Sequence, residues 1–165
     1  MRVAGIDTSS FAVDLVTVPL DEHDGAEVEW HSFGLEGADA FDRSRFVPNV
    51  LWGRASAHWD GILAVGIEEP TGKFKPGSGF RVQGAVLAQI PERMLVTPWT
   101  PSGWRAAVGL PGNCAKEAVF RWVTERLGGR PASQDAADAF CIALATRKVV
   151  LENQTKEAEG ALSKT

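Results

Sequence analysis

The chain has 165 residues, of which 44% are hydrophobic and 23% charged, with a formal net charge of -4. That length and balance fit one globular domain and exclude a disordered, collagenous or disulfide-scaffold protein. No apolar run approaches the roughly 18 residues needed to span a bilayer.

The opening Met1-Arg2-Val3-Ala4-Gly5-Ile6-Asp7 predicts no secretory signal peptide, because an acid interrupts the apolar run. Cys114 and Cys141 form no CxxC, and a reduced cytoplasmic setting is expected. Charge is unevenly distributed. Residues 1–69 carry 4 basic and 13 acidic side chains, and residues 70–130 carry 9 basic and 3 acidic. The middle segment could form a basic face, or the charges could mix over the folded surface.

Arg2 to Asp7 reads as a short buried strand ending in an acid. Thr8-Ser9-Ser10 makes a turn. Valine-rich Phe11 to Leu20 reads as a second strand, and alternating Glu27 to Phe33 as a third. Short turns between them predict an antiparallel meander. Asp42 to Trp59 reads as a helix, and Pro48 is a candidate for its start. Ile62 to Ile67 is a continuous apolar run, the pattern of a strand buried on both faces. Glu68-Glu69-Pro70 ends it, and Thr71 to Gly79 is a glycine-rich loop.

Phe80 to Ile90 reads as a helix, Met94 to Val96 as a strand and Pro98 to Ser102 as a turn. Ala115 to Leu127 reads as a helix stopped by Gly128-Gly129. Ser133 can N-cap a last helix running to about Leu151. The expected organisation is one domain over 1–151 and a polar, disordered tail over 152–165. The fold class is α/β: a mixed five-stranded sheet with flanking helices.

Four acids stand in unusual places. Asp7 and Glu68 end apolar strands, and Asp135 and Asp138 open the last helix. An acid at the rim of a buried strand is costly unless its charge is compensated, and a hard divalent cation is the natural compensator. Asp135 and Asp138, three apart, face one side of a helix. If the first and fourth strands are neighbours, all four carboxylates surround one point. Two cations there could drive phosphodiester hydrolysis. Each acid also has a structural reading: Asp135 as a helix-dipole partner, Asp7 as a turn cap. Strand alternation lets only one of Glu68 and Glu69 face inward.

Gly5-Ile6-Asp7, Ala64-Val65-Gly66-Ile67-Glu68-Glu69, Trp104 to Gly112, Lys116 and Asp135-Ala136-Ala137-Asp138-Ala139 together resemble the RuvC-like Holliday junction resolvases. The resemblance spans about residues 1–150 and is nearest to their phage-encoded branch. Thr8-Ser9-Ser10 replaces the family's usual proline and glycine after the first aspartate. The resemblance implies an RNase H-like fold and a homodimer that cleaves four-way DNA junctions. The expected cofactor is two Mg2+ ions, with Mn2+ able to substitute, held by Asp7, Glu68, Asp135 and Asp138. Cleavage would leave a 5′-phosphate and a 3′-hydroxyl. Lys116 would lie near the scissile phosphate.

Lys73, Phe74 and Lys75 flank the site in the loop after Glu68. Two cations and a ring there could grip phosphates and stack on a base, although Phe74 could instead fold onto the core. The resemblance places the family's junction-wedging aromatic at this point. Arg81, Arg105 and Lys116 are further candidate phosphate contacts, as are Arg121 and Arg130. The six tryptophans read as core or dimer contacts, and the three histidines carry no assigned role. A relaxed-specificity nuclease for other branched DNA or RNA–DNA hybrids is the alternative on the same fold. From another class, Asp7-Thr8-Ser9-Ser10 could mimic the phosphate loop of an actin-like or sugar-kinase-type phosphotransferase. Such enzymes need two domains of this kind.

Overall fold

A computed structural model describes residues 1–21, 27–53, 59–69 and 76–162. The elements in chain order are β1 (Arg2–Thr8), β2 (Ala12–Pro19), β3 (Glu29–Gly34), α1 (Ala40–Gly53), β4 (Ile62–Glu68), α2 (Pro76–Leu87), β5 (Leu95–Trp99), α3 (Pro101–Ala107), α4 (Lys116–Leu127) and α5 (Gln134–Leu162). They build one five-stranded sheet in the order β3-β2-β1-β4-β5.

The first three strands form the expected meander. Ser9 closes the first turn: its backbone N–H donates to the Ala12 carbonyl, and its Oγ accepts from the Phe11 and Ala12 amides. That turn sets Asp7 opposite Asp14 and Gly5 opposite Val16. β4 runs parallel to β1, with Gly5 beside Gly66 and Ile6 beside Ile67, and β5 runs parallel to β4. The sheet is therefore mixed, as the sequence pattern predicts.

Strand alternation divides the core into two layers. Ala4, Ile6, Val13, Leu15, Val65 and Ile67 meet α1 and α2 on one face. Val3, Val16, Val18 and Ala64 meet α3, α4 and α5 on the other. Each large aliphatic side chain so buried contributes roughly 1.5–3 kcal/mol.

Several element boundaries differ from the sequence reading. α1 starts at Ala40, not at Pro48, because Asp39 Oδ1 accepts from the Phe41 and Asp42 amides and caps the helix. Pro48 lies inside it. α2 begins at Pro76, ahead of Phe80. The stretch read as a turn at Pro98 to Ser102 is the end of β5 and the start of α3. There the Thr100 hydroxyl caps through the Gly103 amide and Pro101 opens the helix, a Pro placement its fixed φ favours. Ser133 does cap α5, accepting from the Ala136 amide. The helix does not stop at Leu151, however. It continues to Leu162, with residues 151–161 exposed. Among the described residues no helix is long and apolar enough to cross a membrane.

α5 lies directly on β1 and β4. A Cβ on Gly5 would collide with the Ala139 carbonyl and the Ala143 amide of α5. A Cβ on Gly66 would collide with Thr146 Oγ1 and meet Ile142 Cγ2 at 2.8 Å. Small residues on the helix (Ala136, Ala139, Ala143) complete this backbone-to-backbone contact. Gly5→Ala should force α5 off the sheet and cost roughly 3 kcal/mol. Urea unfolding checks this, and an unchanged midpoint would refute the close-contact account.

Candidate active site

The parallel pairing of β1 with β4 ends with Asp7 and Glu68 side by side at the carboxyl ends of adjacent strands. Both point to the α5 side of the sheet, because Ile6 and Ile67, one residue earlier, point to the other. α5 then brings Asp138 and Asp135 over them from its first two turns. Asp7 and Asp138 are buried, at 9% and 2% exposure. The Asp135 side chain is more open, at 37%.

Neighbouring donors fix this arrangement. The Trp104 indole donates to Glu68 Oε2 at 2.6 Å. Gln134 Nε2 donates to Asp138 Oδ1 at 3.0 Å. From the opposite face, Gln83 Nε2 donates to the Glu68 carbonyl at 2.8 Å and pins the end of β4. Lys116, the first residue of α4, holds its ammonium 3.7 Å from both Asp135 Oδ1 and Asp138 Oδ2. Arg105 lies 4.7 Å over the Trp104 ring and donates to the Gly112 carbonyl.

The electrostatics follow from burial and like charge. Burial pushes the Asp7 carboxyl well above its ordinary pKa, and the charges of Glu68, Asp138 and Asp135 push it further. Burial also raises Glu68 and Asp138, against the opposing Trp104 and Gln134 hydrogen bonds. For Lys116 burial works downward, but Asp138, Asp135, Asp7 and Glu68 outweigh it and hold the ammonium charged. The site is an acidic cluster short of positive charge. Among the described residues, no three carboxylate, histidine or cysteine groups converge tightly enough to enclose an ion.

Asp7, Glu68, Asp135, Asp138 and Lys116, all singled out in the sequence, thus come together. Glu68 is the inward member of its pair. Glu69 turns to the α2 side, lining a hollow with Phe80, Leu87 and Val96. Arg105 stands beside the cluster and its charge reaches Glu68 and Asp138. Arg81 does not. It sits on α2, 5.9 Å from the Phe41 ring of α1, on the other side of the sheet. Lys73, Phe74 and Lys75 lie outside the described residues.

Three residues escaped the sequence reading. Trp104 holds Glu68 instead of serving only as core, Gln134 holds Asp138, and Asp14 sits buried in β2 opposite Asp7. Asp14 carried a readable signal: a charged residue between Val13 and Leu15, opposite residue 7 once the Ser9 turn is recognised.

Solved structures share this architecture. Thermus thermophilus RuvC superposes with a TM-score of 0.68 at 25% identity, covering 92% of this chain and 97% of that one. The chain has a RuvC-like fold. T. thermophilus RuvC in complex with a Holliday junction substrate matches with a TM-score of 0.63 at 26% identity, over 88% of this chain and 91% of that one. The fowlpox virus Holliday junction resolvase shares the fold alone, with a TM-score of 0.51 at 12% identity over 90% of this chain and 99% of that one. No protein-family model matches the chain, and no curated protein matches it by sequence.

The raised carboxyl pKa values give a pH prediction for the metal-free protein. Between the ordinary Asp value of 3.8 and its raised folded value, Asp7 binds more protons folded than unfolded. Stability from this group is therefore present at low pH and is lost as pH rises through the folded value. In EDTA, the wild-type melting temperature should fall more than that of Asp7→Asn as pH rises above the ordinary Asp value. Parallel pH profiles for the two proteins would contradict this.

Proposed function

We propose that the chain is a structure-selective DNA endonuclease that resolves four-way junctions. The observation that carries this reading is the meeting of Asp7, Glu68, Asp135 and Asp138 at one end of the sheet, under Lys116. The RuvC-like fold and the junction-bound relative support the choice of substrate.

The residues fit a hard divalent cation in donor type and in charge. Every acidic donor is a carboxylate, and Lys116 and Arg105 leave the cluster's negative charge in excess. Asp7, Glu68, Asp135 and Asp138 would hold Mg2+, with Mn2+ an acceptable substitute. When bound, two such ions supply the positive charge that activates a water and stabilises the leaving oxygen of an in-line displacement.

The chain's own residues do the rest. Trp104 holds Glu68 in one orientation, and Gln134 does the same for Asp138. Fixing such groups matters because outer-shell partners typically change metal affinity or activity by roughly 10–100-fold. Lys116, with its side chain 58% exposed, can shift its ammonium from the aspartates to an incoming phosphate. Arg105 stacks on Trp104 and offers a second cation to the backbone. Lys73, Phe74 and Lys75 would extend the DNA contact from the loop after β4.

A single site reaches one strand, so paired cleavage calls for a homodimer whose two-fold axis relates the two nicks. The products would be 5′-phosphate and 3′-hydroxyl ends. Cys114 and Cys141 are both free thiols, in keeping with a reducing cytoplasmic setting.

The deciding assay is cleavage of a labelled four-way junction beside linear duplex and a fork, in Mg2+ and in EDTA. Paired nicks that require Mg2+ are expected. Asp7→Asn should reduce them by more than the roughly 100-fold upper range for losing an outer-shell group. Cutting of forks but not junctions would replace the substrate. A folded protein that cuts no DNA in Mg2+ would overturn the nuclease reading.

A further inference from the structure

Two phenylalanines belong to neither core layer. Among the described residues, Phe11 and Phe41 are the most exposed large apolar side chains after Met1, at 66% and 53%. Each lies under an arginine. The Arg43 guanidinium stands 4.5 Å from the centre of the Phe11 ring, and the Arg81 guanidinium 5.9 Å from that of Phe41. Both distances allow cation–π attraction. Arg43 Nη1 also donates to the Gly37 carbonyl at 3.0 Å, which holds it beside Phe11.

The topology sets both pairs at the carboxylate end of the sheet. Phe11 lies in the turn between β1 and β2, just beyond Asp7. Ser9 and backbone groups close that turn, without the ring. β3 ends beside it, where the Leu35 amide donates to the Phe11 carbonyl at 2.7 Å. The chain then enters α1, and Phe41 and Arg43 lie in its first turn. Arg81 reaches Phe41 from the first half of α2, the helix that follows the end of β4.

Charge alone does not account for this surface. Asp39 lies close enough to Arg43 and Arg81 for their charges to act on it, and Asp42 is exposed beside them. Its distinguishing feature is open aromatic area. Single exposed apolar residues are ordinary on a protein surface. Two rings, each with an arginine and both at the end where the carboxylates meet, are not a random scatter. A ring of this kind suits a nucleobase, because every base has a π-face that stacks on aromatics whatever the sequence.

We propose that Phe11 and Phe41, each backed by its arginine, form a stacking platform for bases left unpaired at the branch of the DNA. This platform rests on reading the carboxylate end as a junction nuclease. A phosphate held at the carboxylates brings its neighbouring nucleotides over the strand ends, and the turn that follows Asp7 carries Phe11 there. Bases in linear duplex stack on one another and offer no free face, so the platform favours branched DNA. It also gives Arg81 a place on the DNA, away from the cleaved phosphate.

The test is binding of the full chain to a labelled four-way junction and to linear duplex, read by fluorescence anisotropy in Ca2+. Phe11→Ala and Phe41→Ala should each weaken junction binding about tenfold and leave duplex binding unchanged. Phe11→Tyr keeps the ring and should bind as wild type does. Phe11→Leu keeps an apolar side chain without a π-face and should fail as alanine does. Both positions are exposed, so melting temperatures should match wild type. A second set of junctions carries one abasic site at each nucleotide around the branch. Where the missing base is the one that stacks on Phe11, the abasic loss and the Phe11→Ala loss should not add. Wild-type junction affinity in either alanine variant, additive losses at every position, or full binding by Phe11→Leu would overturn the platform while the nuclease reading stands. Loss of self-association in the alanine variants, seen by sedimentation, would overturn it in favour of a contact between copies of the chain. If wild type binds the junction no better than duplex, the choice of substrate and the platform fail together.

Discussion

Everything at the active end of this molecule depends on how closely α5 approaches the sheet. Gly5 and Gly66 are paired neighbours on β1 and β4, and neither can carry a Cβ under the helix. With that spacing, Ala139 and Ala143 rest on β1, and Thr146 packs over Gly66. The Thr146 hydroxyl also accepts from the Trp99 indole at 2.9 Å, which ties the helix to β5. Only a helix seated this low sets its first two turns level with the strand ends. Asp135 and Asp138 are then carried over Asp7 and Glu68 by packing, not by any attraction between the acids.

That distinction matters because the acids repel. Burial and mutual charge raise Asp7, Glu68 and Asp138, so the metal-free fold holds them together at a cost. Trp104, Gln134 and Lys116 offset part of it, each touching a different carboxylate or pair. The apolar layers supply the remaining stability, through side chains such as Val3, Ile142 and Phe140 that are fully buried. A sequence whose local choices agree everywhere except at one cluster is the pattern expected of a site kept for function.

Most of this was legible in the sequence, for identifiable reasons. β1, β2 and β4 announce themselves because buried strands need apolar residues in a short run. The four acids stand out because each interrupts such a run. What escaped has equally physical causes. Pro101-Ser102-Gly103 reads as a turn by composition, yet a threonine cap followed by proline is also how a helix begins. The end of α5 was read from its polarity. Its residues are mostly good helix formers, and Glu152 stands four residues before Lys156, a spacing that favours the helix without any burial. Asp14 and Trp104 depend on register and on a contact 36 residues apart. No local pattern encodes those.

The charge distribution, ambiguous in one dimension, resolves in three. The basic middle segment contributes Arg105, Lys116, Arg121 and Arg130 to the α3–α4 layer, on the same side of the sheet as the carboxylates. Asp39 and Asp42 belong to the α1 end, across the sheet. An overall charge of -4 therefore says little about the surface that phosphates would meet. Affinity for a nucleic acid backbone depends on how many phosphates local cations neutralise, not on the sum over the molecule. Arg105 and Arg130 each lie over an aromatic ring, Trp104 and Phe120. The Arg105 guanidinium is also tied to the Gly112 carbonyl, which holds it in place beside the cluster. Of these cations, Arg105 and Lys116 act on the carboxylates directly, their charges reaching Glu68 and Asp138, so positive charge stands beside the anionic centre. Positive charge so placed offsets the repulsion that bare carboxylates would exert on any phosphate.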